Sequence, residues 1–256
     1  MATEAEFEGR TAVITGAAMG IGRACAEAFA ARGANVVIAD IAEAEGAEVA
    51  RALGPCARFV RADVGSMAQM EAMAAAAIDA FGGIDILVNN AARAIDGVVD
   101  ETDEARFREV IETNLIGVWR GMKVCVPSMR ARGGGAIVNM SSVQGLAGFR
   151  GWAGYAAAKG GVNALTAQTA IDLAPAGIRV NAVAPGTIMT PLNERIFAEA
   201  DDPDELIERW NRAHPIGRFG QPEEVAEAVV FLASPRAGFI TGELLRVDGG
   251  LIVRGE

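Results

Sequence analysis

The sequence predicts an α/β protein built on a doubly wound, seven-stranded parallel sheet with helices on both faces. Three observations predict it. Short apolar runs alternate with helix-period segments along nearly the whole chain. Most of those runs are near-continuously apolar rather than alternating, as parallel strands covered on both faces must be. Glycine and proline punctuate the joints, at Gly33, Gly54-Pro55, Gly82-Gly83, Gly133–Gly135 and Pro175.

In chain order, strands are expected at Thr11–Thr15, Val36–Asp40, Ala57–Arg61, Ile84–Asn89, Ala136–Met140, Arg179–Ala182 and Leu244–Val247. Helices are expected between them at Ile21–Arg32, Ile41–Leu53, Met67–Phe81, Thr102–Arg130, Ala153–Ala174 and Pro222–Ser234. Right-handed crossovers would join such strands. No linker or internal repeat interrupts the pattern, so residues 1–256 read as a single domain. The one long irregular stretch, Pro185–Pro215, is expected to carry a substrate loop at about 187–215. Within it, Asp204–Ala213 has the amphipathic pattern of a short helix.

Composition excludes several classes of function. Hydrophobic residues at 51% against 22% charged permit a large core and argue against disorder. A net charge of -10 argues against a nucleic-acid backbone as partner, because phosphate binding needs a basic surface. Met1–Arg10 is acidic and lacks the apolar core of a signal peptide. The longest charge-free stretch, Gly133–Phe149, is too short and too polar to span a bilayer. No membrane association is expected, and a cytoplasmic location is. Cys25, Cys56 and Cys125 are widely spaced and read as free thiols. His214 is the single histidine, which argues against a Ser-His-Asp triad and against a His-rich metal site.

The first strand runs into Thr15-Gly16-Ala17-Ala18-Met19-Gly20-Ile21-Gly22 and then into a helix. Glycines let a backbone approach a pyrophosphate closely, and the following helix N-terminus supplies free N–H groups and partial positive charge. The spacing Gly-x-x-x-Gly-x-Gly departs from the general dinucleotide fingerprint, but its setting is that of a Rossmann-type domain. Asp40 ends the second strand, 18 residues beyond Gly22. A carboxylate there can accept hydrogen bonds from both adenosine ribose hydroxyls and repels a 2′-phosphate. Ala17, Ala18, Met19 and Ile41 offer no compensating cation, so NAD is expected rather than NADP.

Further along stand Asn89-Asn90-Ala91-Ala92, Asn114, Ser141-Ser142, Tyr155-Ala-Ala-Ala-Lys159, Pro185-Gly186 and Val247-Asp248-Gly249-Gly250. Together with the glycine turn, this ordered set resembles the short-chain dehydrogenase/reductase family over essentially the whole chain. The chemistry explains the residue types. Tyr155 and Lys159 are four apart and share a helix face. A free phenol has a pKa of roughly 10, and a nearby ammonium and a cationic nicotinamide would lower it. Tyr155 is the only tyrosine, so no other phenol can serve as general acid and base.

The resemblance implies further roles. Ser142, rather than Ser141, would hold the substrate oxygen, and Asn114 would position a water beside Lys159. Lys159 would also grip the nicotinamide ribose. The turn residues Gly16, Met19, Gly20, Ile21 and Gly22 would meet the cofactor phosphates, Asp63 and Val64 the adenine, and Asn90 the adenosine side. Ile188 and Thr190 would hold the nicotinamide amide and phosphates. The family's usual Asn-Asn-Ala-Gly reads Asn-Asn-Ala-Ala here, and a positive φ at Ala92 would cost about 1 kcal/mol.

Arg93, Gln144, Phe149, Trp152 and Met189 are expected to line the substrate pocket: Phe149, Trp152 and Met189 as an apolar wall, Gln144 for a hydroxyl, Arg93 for an anionic group. The helix from Ala153 is rich in small residues, and the resemblance implies a homotetramer packed through it. The expected activity is hydride transfer between NAD and a secondary alcohol, such as a sugar or cyclic polyol, or its ketone. Two other readings stay open: an NADPH-dependent 3-oxoacyl carrier-protein reductase, and a non-catalytic module that senses NAD.

Overall fold

A computed structural model describes residues 5–253. The first four residues of the acidic Met1–Arg10 segment, and the last three of the expected 1–256 domain, lie outside the described residues. The strands are β1 (Thr11–Thr15), β2 (Asn35–Asp40), β3 (Ala57–Arg61), β4 (Ile86–Asn89), β5 (Gly135–Met140), β6 (Ile178–Pro185) and β7 (Leu244–Val247). They form one sheet in the order β3-β2-β1-β4-β5-β6-β7, and every neighbouring pair is parallel. The expected doubly wound sheet is therefore present, and the chain changes direction across it between β1 and β4.

The helices are α1 (Gly20–Ala30), α2 (Glu43–Leu53), α3 (Met67–Phe81), α4 (Glu104–Ile111), α5 (Gly117–Ala131), α6 (Ala153–Leu173), α7 (Pro191–Ala198), α8 (Pro203–Ala213) and α9 (Pro222–Ala233). Alternation along β1 sorts the core into two layers. Ala12 and Ile14 pack in one layer with Cys25 and Phe29 of α1 and Val225 and Val229 of α9. Val13 packs in the other with Met70 and Met73 of α3, Met122 and Met129 of α5, and Val162 of α6. All of these side chains are buried, so each face of the sheet is sealed by helices.

Helix ends follow the sequence closely where it carries capping residues. Ser66, Asp103 and Asp202 accept hydrogen bonds from backbone N–H groups of α3, α4 and α8, and Gln221 and Glu224 form a capping box on α9. Gly82 closes α3 at φ +80°, a conformation that favours glycine.

Two expectations need correction. The single helix expected over Thr102–Arg130 is α4 and α5 joined by a π-helical turn at Glu112–Ile116, where Gly117 N–H bonds to the Glu112 carbonyl. Apolar periodicity is blind to one inserted residue, because both flanking helices keep their own period. The stretch after β6 is not one irregular loop. β6 itself runs on to Pro185, and α7 and α8 follow, only α8 having been expected. Pro191 at the first turn of α7 starts that helix. Ala92 does not take a positive φ; among the described residues only Ala5 does so without being glycine.

Candidate active site

A cleft of about 790 Å³ opens over the C-terminal ends of the strands, across the β1/β4 reversal. At one end lie Asp40, Asp63 and Val64, following β2 and β3; at the other lie Ser142, Tyr155 and Lys159, following β5 and opening α6. Gly16, Met19, Gly20, Ile21 and Asn90 line the floor between them, and Ile188 and Thr190 the opposite wall.

The floor can be tested as a phosphate cradle. Gly16 and Gly20 adopt φ +65° and +55°, and a Cβ on Gly16 would lie 2.7 Å from Ala91 Cα. A Cβ on Gly22 would lie 2.0 Å from the Gly16 carbonyl oxygen, so the turn tolerates no side chain there. The Asn90 amide staples the turn by donating to the carbonyls of Thr15 and Gly16 at 3.0 and 2.9 Å. Its amide is thus spent on shaping the floor. The N-cap residue of α1, Met19, makes no side-chain cap, which leaves first-turn N–H groups directed at the cleft. The residues present fit a dinucleotide: a side-chain-free turn at a helix N-terminus, with a carboxylate at the end of β2. Asp40 accepts from the N–H groups of Ala18 and Ala42 at 2.9 and 3.0 Å, one on each oxygen, which fixes its orientation. Asp63 accepts from Gly65 N–H at 2.8 Å.

At the other end, the structure separates the two adjacent serines. Ser141 is turned inward, its hydroxyl bonded to Asn163, whose amide also donates to the Gly145 carbonyl. Ser142 lies beside the Tyr155 hydroxyl, whose ionisation it favours, and accepts from Gln144 N–H at 3.1 Å. Trp152 meets the Tyr155 ring edge-on, with centroids 6.0 Å apart.

Burial dominates the electrostatics. It pushes the Tyr155 phenol up to about 12, with Ser142 pulling the other way. It pushes the Lys159 ammonium down to about 8. The lowered phenol pKa expected from the sequence is therefore not a property of the protein groups alone. The Lys159 ammonium lies 5.4 Å from the Tyr155 ring centroid and donates to the Met140 carbonyl at 2.7 Å. In a site this buried, loss of water outweighs that neighbour.

Asn114 is fully buried in the π-helical turn and sits behind the cleft lining, as does Gly22. Both ends of its amide are tied to Arg93: Oδ1 accepts from the backbone N–H at 2.7 Å and Nδ2 donates to the carbonyl at 2.8 Å. The side chain thus anchors the loop after β4.

Of the residues expected around a substrate, Arg93 lines the cleft, with its guanidinium paired to Glu109. Gln144, Phe149, Trp152 and Met189 are not among the residues that line it, although Trp152 packs against Tyr155, which does. Gln144 Oε1 is buried without a hydrogen-bond partner. Sequence reasoning missed Thr113, which also lines the cleft, and had placed Asn193 and Arg195 there only as part of the 187–215 substrate loop. The last two are on α7, whose periodicity is too short to stand out in a proline-bounded stretch. His214 is structural: it is buried, with Nδ1 2.8 Å from the Trp210 carbonyl and Nε2 accepting from Thr187 N–H at 3.3 Å.

Comparison with known proteins fits this geometry. A family model described as enoyl-(acyl carrier protein) reductase matches residues 16–252. The chain is 46% identical over 248 residues to a cis-4-hydroxycyclohexanecarboxylate dehydrogenase of Sinomonas cyclohexanicum, covering 95% of this chain and 97% of that protein. It is 40% identical over 245 residues to a 3-oxoacyl-[acyl-carrier-protein] reductase of Vibrio cholerae, covering 96% and 98% respectively. Among solved structures, gox2181 superposes with a TM-score of 0.91 at 35% identity, covering 96% of this chain and 97% of that one. The sheet order, the glycine cradle and the matched residues together make this chain an oxidoreductase of the short-chain dehydrogenase/reductase family, whose dehydrogenases use nicotinamide cofactors.

Proposed function

We propose that the protein is an NAD-preferring dehydrogenase that interconverts a secondary alcohol on a ring and its ketone. The observation that carries this reading is the Ser142–Tyr155–Lys159 group, gathered at one end of a cleft whose other end presents Asp40. A bound nicotinamide supplies the two-electron acceptor. Tyr155 Oη takes the alcohol proton during oxidation and returns it during reduction. Ser142 Oγ holds the substrate oxygen beside that hydroxyl, and Lys159 supplies the positive charge that favours the phenolate. The Tyr155 phenol, raised above its ordinary value of 10, is protonated at neutral pH and can donate to a ketone. Asn114 serves by fixing Arg93 and hence the loop that closes the cleft.

The ring-bearing substrate class is supported by the cyclohexanecarboxylate dehydrogenase relative. NAD preference is supported by Asp40, whose cleft neighbours Ile41, Ala42 and Asp63 provide no cation for a 2′-phosphate. A second reading, an NADPH-dependent 3-oxoacyl carrier-protein reductase, is favoured by the Vibrio cholerae relative. Competitive titration with the two cofactors separates them, NADH binding more tightly if the first holds. Asp40→Ser should narrow or reverse that preference. Tyr155→Phe should keep NADH affinity within about twofold while lowering kcat by roughly 10²–10⁴, the range expected for loss of a general acid/base. A variant that turns over normally would refute the assignment.

A homotetramer in the cytoplasm completes the proposal. Its support is an apolar patch on α5 and α6, where Leu115, Ile116, Trp119 and Leu165 flank Gly161 and Ala164. Among the described residues no helix is long and apolar enough to cross a membrane.

A further inference from the structure

Three cations line the cleft among the described residues: Arg93, Lys159 and Arg195. Two of them are spoken for, Arg93 by Glu109 and Lys159 by the Met140 carbonyl. Arg195 has neither an ion pair nor a side-chain hydrogen bond among the described residues, although Glu199 stands one helical turn further along the chain. Its helix is held in place at its base. Asn193 Nδ2 donates to the Ile188 carbonyl at 2.7 Å. A Cβ built on Gly20 would lie 3.4 Å from Thr190 Cγ2 and 3.8 Å from Pro191 Cδ, so the start of α7 rests on the glycine turn. Pro191 and Arg195 are four apart and share a helix face. Arg195 thus lines the cleft with its guanidinium unpaired, and the start of α1, which no side chain caps, lines it too.

We infer that Arg195 is the contact that α7 offers to an oxyanion bound in the cleft. The oxyanion is either the diphosphate of the dinucleotide or a carboxylate on the substrate ring. A planar guanidinium suits both, because its paired N–H donors match two oxygens of a phosphate or carboxylate. Arg195 is exposed, and it and the α1 N-terminus both bring positive potential to the cleft, where an anion would meet the two together. This inference rests on the dinucleotide reading of the cleft given above.

The test uses the whole protein as wild type, Arg195→Ala and Arg195→Lys. NADH affinity is measured by fluorescence titration, at low and high salt. In parallel, cyclohexanecarboxylate and cyclohexanol are titrated onto the protein–NADH complex. If the anion is the diphosphate, Arg195→Ala weakens NADH binding about tenfold, a loss typical of a charge-assisted hydrogen bond. Arg195→Lys then recovers part of it, and the difference shrinks in high salt. If the anion is a substrate carboxylate, NADH affinity is unchanged and cyclohexanecarboxylate alone binds about tenfold more weakly to Arg195→Ala. Unchanged NADH affinity with no carboxylate-specific loss overturns the inference. A wild-type protein that binds neither NADH nor NADPH instead overturns the dinucleotide reading on which the inference rests.

Discussion

Lys159 is only 1% exposed, and its ammonium is pushed from the ordinary 10.5 to about 8 by burial. The folded state therefore holds this proton more weakly than the unfolded chain does. Its destabilising contribution is fully present below about pH 8 and is relieved as pH rises from 8 toward 10.5. Lys159→Met should accordingly raise the melting temperature at pH 7, with a gain of about 3 kcal/mol as an upper limit, and should abolish turnover. Melting curves at pH 7 and pH 10 check the sign, because the advantage of the variant should shrink at the higher pH. Equal or lower stability at pH 7 would show that the bond to the Met140 carbonyl outweighs the cost of burial. At this scale the sequence displayed the residues but not their environment. Tyr155 and Lys159 were visible by spacing, yet the direction of the Tyr155 shift depends on burial that only a folded neighbourhood creates. Ser141 and Ser142 were adjacent and chemically identical in the sequence. Strand geometry sends one hydroxyl to Asn163 and the other to Tyr155.

At the scale of an element, the π-helical turn at Glu112–Ile116 brings Asn114 to the loop after β4. Replacing Asn114 with Ala leaves the Arg93 N–H and carbonyl without those partners. A stability loss of about 1–3 kcal/mol is expected, together with a rise in KM larger than the fall in kcat. Denaturant melts and steady-state kinetics check it. A pure kcat effect would point to a direct chemical role for the amide instead. The element's place in the sequence was legible, since Asn114 stood within a long helical pattern. Its irregularity was not, because one inserted residue leaves the apolar stripes on either side intact. The same limit hid α7. A helix of eight residues opened by Pro191 offers only two turns of periodicity, and it was read as part of a loop.

For the whole molecule, Trp119 is 43% exposed at the rim of the apolar patch on α5 and α6. A patch of that kind on a soluble surface marks an interface more often than a bare face. Trp119→Glu should convert a tetramer in light scattering to smaller species, with cofactor affinity retained. A wild-type monomer at micromolar concentration would sink the tetramer proposal outright.

The sequence alone determined the parallel sheet, the position of the glycine turn and the ordered set Asp40, the Ser141-Ser142 pair, Tyr155 and Lys159, because each is written in local periodicity or fixed spacing. The tertiary structure decided what those groups experience. It set which serine meets the phenol, how far burial moves Tyr155 and Lys159, and which arginine in the cleft is left unpaired. The reason is physical: strand and helix periods are properties of neighbours in sequence, whereas desolvation and ion pairing belong to residues brought together from distant parts of the chain. Arg93 is joined to Glu109 across a loop, and the helix that carries Arg195 begins at Pro191, beside Gly20 of the first turn.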